Sequence, residues 1–175
     1  MQDILEVLKT RRSIRKYQDK PVPDELLEKI IEAGLYAPTG MNRQDAIILE
    51  ITDPETLRTL GLINGKIMGQ DNFDGFYGAP ALLCVLAEKD SPIAVYDGCS
   101  VISNMINEAA SLGLGSCWIH RCKEQFETPE GKEILKKAGI DPDKYVGIDN
   151  VAVGYTDGEL PAAPARKSGR VFKIN

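Results

Sequence analysis

The sequence predicts an α+β domain with helices on both faces of one sheet, and three observations carry that expectation. The run Ala81–Ala87 (ALLCVLA) is unbroken and apolar, the pattern of a central strand buried on both faces. Two longer segments carry apolar residues at helical period: Leu26, Leu27, Ile30, Ile31 and Leu35 in one, and Val101, Ile102, Met105, Ile106, Ala109 and Ala110 in the other. Helical and strand-like segments mix without a regular strand–helix–strand rhythm, which disfavours a wound parallel sheet.

The elements follow in order. Asp3–Thr10 reads as a short helix with Ile4, Leu5 and Leu8 on one face, followed by the basic, non-periodic stretch RRSIRKYQDKPV. Pro23 suits the first position of a second helix, whose first turn holds Asp24 and Glu25 and which Pro38 and Gly40 terminate. Ala46–Ile51 reads as a strand, Asp53–Leu60 as a short helix led by Pro54, and Gly61–Gly78 as an irregular, glycine-rich excursion. Asp97–Leu112 is the best-buried helix, ended by Gly113. Ser116–His120 is a short apolar strand, Thr128–Ala138 a polar surface helix, and Val146–Tyr155 a strand. From Thr156 onward, prolines, a basic cluster and a terminal RVFKI suggest an extended arm that docks somewhere.

Composition narrows the function. The chain has 175 residues, the size of one domain, with 43% hydrophobic and 27% charged residues, enough for a core without staples. With 26 acidic and 21 basic residues the net charge is −5, which repels nucleic acid and anionic membrane on average. No apolar run is long enough to cross a bilayer, and MQDILEVLKTRRS lacks the apolar core of a signal peptide. Four cysteines, Cys84, Cys99, Cys117 and Cys122, sit mostly in apolar segments, where reduced thiols in a cytoplasmic protein are the simpler expectation.

Three motifs can carry chemistry. In Arg11-Arg12-Ser13-Ile14-Arg15, three guanidinium groups and a hydroxyl lie within five residues, a donor set matched to a phosphate monoester or else a solvated basic patch. In Ala37-Pro38-Thr39-Gly40-Met41-Asn42-Arg43-Gln44, the alternate carboxamides of Asn42 and Gln44 suit the donor and acceptor edge of a flat heterocycle, or a polar connecting loop. Gly113-Leu114-Gly115-Ser116-Cys117-Trp118-Ile119-His120 begins like a dinucleotide fingerprint but puts Trp118 at the third glycine and follows a helix instead of opening one. Its glycines admit a close backbone approach, or cap a helix entering a strand.

These runs, in this order and separation, resemble the nitroreductase family over nearly the whole chain. RRSIRKYQDKPV with APTGMNRQ resembles its N-terminal signature, and GLGSCWI its second. The resemblance implies a central mixed or antiparallel sheet, an FMN cofactor, NADH or NADPH as electron donor, and a homodimer with a flavin in each interface. It implies that Arg11, Arg12, Ser13 and Arg15 hold the phosphate and ribityl chain. Pro38, Thr39, Gly40 and Asn42, with Gln44 close by, would approach the isoalloxazine from the partner subunit. Trp118, Ile119 and His120 would line the ring and offer backbone amides to N5, while Arg166 or Lys167 returns to the phosphate. Asn64 and Lys66 are candidates for the pyrimidine edge, and the RVFKI arm would wrap onto the other subunit. Asp45-Ala46 replaces a frequent Pro-Trp, which alters the pocket wall and hence the electron acceptor, a small oxidised molecule such as a nitroaromatic or quinone. The helical insertion of larger members is reduced to Gly61–Gly78.

Rival readings are weaker. Cys117, His120 and Cys122, with Cys99, are closely spaced, but strand alternation pairs Cys117 with Ile119 and there is no CxxC for a metal. Gly61–Lys66 (GLINGK) is one residue short of a phosphate-binding loop and lacks its Ser or Thr. A non-catalytic flavin or phosphoanion binder shares the arginines and differs only in turnover.

Overall fold

The computed structural model describes residues 3–174. Helices α1 (Ile4–Thr10) and α2 (Asp24–Leu35) precede strand β1 (Ile47–Ile51), α3 (Pro54–Ile67), β2 (Ala81–Glu88) and α4 (Ala94–Ser111). Strand β3 (Gly115–Ile119), α5 (Cys122–Glu127), α6 (Pro129–Lys137) and β4 (Tyr145–Gly154) complete the order. The sheet has the order β1-β2-β4-β3, and every neighbouring pair is antiparallel. Among the described residues the one parallel pairing is an isolated bridge between Ser13 and Ser116 of β3.

Strand alternation divides the core in two. Ala81, Leu83 and Val85 of β2 and Val151 and Val153 of β4 pack with α2 and α4 through Leu27, Ile30, Ile102 and Met105. Leu82, Cys84, Leu86 and Ala152 pack on the opposite face with Leu60, Phe76, Phe126 and Leu135. Residues 81–87 are wholly inaccessible, as the unbroken apolar run requires. Each leucine buried there contributes on the order of 2 kcal/mol, so β2 anchors both layers.

Helix starts follow local chemistry. Asp3, Asp53 and Thr128 accept backbone N–H bonds at the starts of α1, α3 and α6, and Pro23 stands just before α2 instead of inside it. The glycine-rich segment differs from expectation. Helix α3 continues through Gly61 and Gly65 to Ile67, because both glycines face the returning loop. A Cβ on Gly61 would stand 2.2 Å from Asp74 Oδ1, and one on Gly65 2.0 Å from the Phe73 carbonyl oxygen. The short helix α5, hidden in RCKEQFE, was not anticipated either; Gln125 and Phe126 bury its inner face. No helix among the described residues is long and apolar enough to cross a membrane.

Candidate functional site

Residues after α1 run extended along the outer edge of β3. The Ile14 N–H donates to the Ser116 carbonyl at 2.9 Å, and Ile14 itself is buried. Alternation then sends Arg11, Ser13 and Arg15 to the opposite side. The charges of Arg11 and Arg15 and the Ser13 hydroxyl act on Cys117 of β3. Burial pushes this thiol up, against the pull of Arg15, Arg11 and the Ser13 hydroxyl, so it stays protonated and does not serve as a thiolate. Burial and the charge of Arg12 lower the Arg11 pKa, the signature of a guanidinium that gains from an anion. Among the described residues no carboxylate pairs with Arg11, Arg12 or Arg15. Nearby, Ser116 Oγ is buried without a hydrogen-bond partner. A cleft of about 110 Å³ lies beside Arg11 against Gly113, Gly115 and Thr156. Guanidinium forks free of carboxylates and a small cleft bordered by Arg11 fit a phosphate monoester.

Arg12 stands apart. Its Nη1 donates to the carbonyls of Lys9 and Arg11 and its Nε to Pro161, so this guanidinium ties α1 to the start of the arm.

Beyond the arginines, β3 offers an open edge. Because Ser116 turns its carbonyl outward to Ile14, alternation turns the backbone groups of Trp118 outward as well and those of Ile119 toward β4. From Ser116 to His120 an extended chain covers about 13 Å. At its end a single carboxylate oxygen, Asp149 Oδ2, accepts from the Trp118 indole N–H at 2.7 Å and meets His120 Nδ1 at 2.8 Å. Asp149 is buried while the His120 side chain is 75% exposed, so the imidazole is oriented from behind and faces outward. A cavity of about 720 Å³ opens here between α4, α5 and β4.

The turn after β3 is held by a buried carboxamide chain. Asn64 Nδ2 donates to the His120 carbonyl at 2.9 Å, and Arg121 Nε donates to Asn64 Oδ1 at 3.2 Å. Gln125 Oε1 accepts from Asn64 and Asn150, and its Nε2 donates to the Leu60 carbonyl. Asn64 is fully inaccessible, which makes it a support of this turn and corrects its expected role as a direct contact to the pyrimidine edge. Lys66 is exposed on α3 with no hydrogen-bond partner among the described residues.

Residues 38–44 form a second, separate surface. A 3-10 turn, Gly40–Asn42, follows Pro38 and Thr39, and Met41, Asn42 and Gln44 all adopt positive φ. Gly40 N–H donates to the Asp97 carboxylate on α4, Gln44 N–H donates to Thr39 Oγ1, and Gln44 Nε2 donates to Asn42 Oδ1. The two carboxamides therefore do face each other. Non-glycine residues held at positive φ cluster at functional sites. No described hydrogen bond links this surface to the arginine cluster. Arg166 and Lys167 lie on the exposed arm, away from the arginines of the same chain. The cysteine grouping does not converge: Cys117 and Cys122 are core residues, and no three potential metal ligands meet among the described residues.

Sequence reasoning missed Asp149, Ser116 Oγ and Arg121. Asp149-Asn150 inside an otherwise apolar strand was the available signal, since buried polar pairs in a strand demand partners.

These features define a class: a one-sheet α+β protein whose edge strand carries a cluster of arginines at one end and an oriented imidazole at the other. The sequence profile of the nitroreductase family matches residues 8–155. A relative from Methanothermobacter thermautotrophicus, assigned by its name to the NADH dehydrogenase/NAD(P)H nitroreductase class, is 34% identical over 87% of this chain and 77% of its own. A nitroreductase from Bacteroides fragilis, solved with bound FMN, superposes with a TM-score of 0.89 at 29% identity and covers 100% of both chains. An FMN-dependent nitroreductase from Clostridium difficile superposes at 0.81 with 30% identity over 98% of this chain and 99% of its own. The chain belongs to the nitroreductase family.

Proposed function

We propose that this protein is an FMN-dependent oxidoreductase that takes hydride from NADH or NADPH and passes it to a small oxidised acceptor. The observation that carries this reading is the run of Arg11, Ser13 and Arg15 along the edge of β3 with no carboxylate paired to either arginine among the described residues. The bound flavin supplies hydride exchange at its N5, chemistry no side chain of the protein provides.

The chain's own residues bind and orient. Arg11, Ser13 and Arg15 clamp the phosphate, with Arg12 bracing the segment from behind. The outward backbone of Trp118 and the turn at His120, about 13 Å along the strand from Ser116, would hold the ring edge. Donor and acceptor use the same open face in turn, which fits the absence of a separate dinucleotide fingerprint in the sequence. The whole chain, residues 1–175, acts as one flavin-binding domain in a cytoplasmic homodimer. Pro38, Thr39, Gly40, Asn42 and Gln44 reach the ring from the partner, and Arg166 or Lys167 on the arm adds charge to the phosphate site.

The purified protein is expected to be yellow and to bleach when NADH or NADPH is added without oxygen. Arg11→Ala combined with Arg15→Ala is expected to purify folded and colourless. Stoichiometric flavin in that double variant would sink the phosphate assignment, and a yellow wild type that neither nucleotide bleaches would make the protein a flavin carrier.

A further inference from the structure

We infer that the cavity at the end of β3 receives an electron acceptor bearing a carboxylate, and that Arg121 is its anion anchor. This rests on the flavin reading above and adds the chemical class of the second substrate.

The cavity is built by the mismatch of two strands. β3 pairs with β4 only from Asn150 to Gly154, so Tyr145–Asp149 have no strand on that side. The β2–β4 register skips Ile148, a bulge of the kind that re-aims side chains beside sites. Helices α4 and α5 close the walls, and the volume of about 720 Å³ is that of a small-ligand pocket. Ala94, Val95, Val146 and Ile148 supply apolar lining for the body of a flat molecule.

Two polar groups on this wall, Arg121 and Ser91, lack a full set of partners. Arg121 sits at φ 79°, a left-handed conformation that is strained for a non-glycine residue. The Asn64 oxygen pins its Nε, which fixes the fork and leaves its two terminal amino groups without a carboxylate among the described residues. Ser91 lines the same cavity with its hydroxyl buried and unpartnered. Asp149 makes no ion pair with Arg121 among the described residues; its Oδ2 is bonded to Trp118 and His120. A planar guanidinium with its terminal amino groups free of carboxylates, in a cavity that also holds an unpartnered hydroxyl, matches a carboxylate.

The rim selects among anions. Glu124 and Glu127 line the opening with Lys123, which approaches Glu127 at 3.9 Å. Acidic side chains at the mouth disfavour a multiply charged phosphate and tolerate a single carboxylate on an aromatic ring. That assigns the cavity to the acceptor and not to the phosphates of the nicotinamide donor.

The test uses the flavin-loaded protein with benzoate as an unreactive probe. Trp118 and His120 are the only tryptophan and histidine, and both bond to the wall residue Asp149, so their ring signals in NMR report on the cavity without turnover. Benzoate is expected to shift both signals saturably in the wild type. In Arg121→Gln with full flavin content the shift is expected to weaken about tenfold in affinity, and in Arg121→Lys by less, as one charge-assisted pair predicts. In turnover, the preference for para-nitrobenzoate over nitrobenzene is expected to fall about tenfold in Arg121→Gln, through KM and not kcat. The inference is overturned if benzoate moves neither signal, if the preference is unchanged, or if Arg121→Gln raises KM for NADH or NADPH instead. A colourless wild type would defeat the flavin reading, whereas the benzoate titration would still report on the cavity by itself.

Discussion

Asn64 shows how a single buried side chain can shape a site it never touches. Its amide closes three hydrogen bonds, to the His120 carbonyl, the Arg121 guanidinium and Gln125, and so joins α3 to the turn where β3 ends. Leucine has nearly the same volume but would leave the His120 carbonyl and Gln125 short of partners in a dry environment. Asn64→Leu is expected to cost about 1–3 kcal/mol in urea denaturation and to weaken benzoate binding, because the Arg121 fork loses its tether. Unchanged stability would mean that water replaces the amide. The same scale explains Arg12. Four donors in five residues looked like one clamp, but only the backbone's extended course, set by the Ile14–Ser116 bond, separates Arg11, Ser13 and Arg15 from Arg12. Residue types declared the anion chemistry; the direction of each side chain depended on a strand edge a hundred residues away.

At the scale of elements, the segments with one dominant pattern were legible and the composite ones were not. Strand β2 and helix α4 stand within a few residues of where apolar run and helical period place them, because burial on two faces and on one face leave different imprints. Glycines in the sequence suggest that α3 ends before Gly61, whereas Gly61 and Gly65 mark places where the Asp74 side chain and the Phe73 backbone pass too close for a Cβ. Gly65→Ala is therefore expected to destabilise by about 1–3 kcal/mol, since the obstructing atom is the Phe73 carbonyl and cannot rotate away. Gly34→Ala on α2 should cost less, since there the nearest atom is the flexible Met105 side chain. Thermal melts of the two variants decide between packing and helix propensity. The edge strand β1 carries a different strain. Glu50 is pushed up first by burial and then by Asp24 and Glu28. A carboxyl raised in the folded state stabilises below its unfolded pKa, and that contribution is lost as pH rises through the folded value. Glu50→Gln is expected to raise the melting temperature near neutral pH and to bring no gain in acid; a gain independent of pH would point to packing instead.

At the scale of the molecule, the protomer leaves its last segment without a home. Residues 157–174 are exposed throughout, and Val171, Phe172 and Ile174 are 78%, 91% and 104% accessible, values no solvated tail gains from. The start of the arm is nonetheless fastened: Lys16 pairs with Asp157, Arg12 holds the Pro161 carbonyl, and Gln18 donates to Thr156. A fixed root and an apolar tip suit a segment that reaches a second copy of the chain, as the proposed homodimer requires. The surface of Thr39–Gln44, unlinked to the arginine cluster within one protomer, has the same requirement. Ending the chain after Asp157 preserves the ion pair with Lys16 and removes the rest. The truncated protein is expected to fold, since no described residue beyond Asp157 is buried, but to elute as a monomer in light scattering and to lose most of its flavin. Full-length Val171→Asp with Phe172→Asp should show the same dissociation in milder form while retaining Arg166 and Lys167, so flavin loss from broken subunit contact can be told from flavin loss through missing charge. A truncated chain that stays dimeric and yellow would place both the subunit contact and the phosphate charge elsewhere.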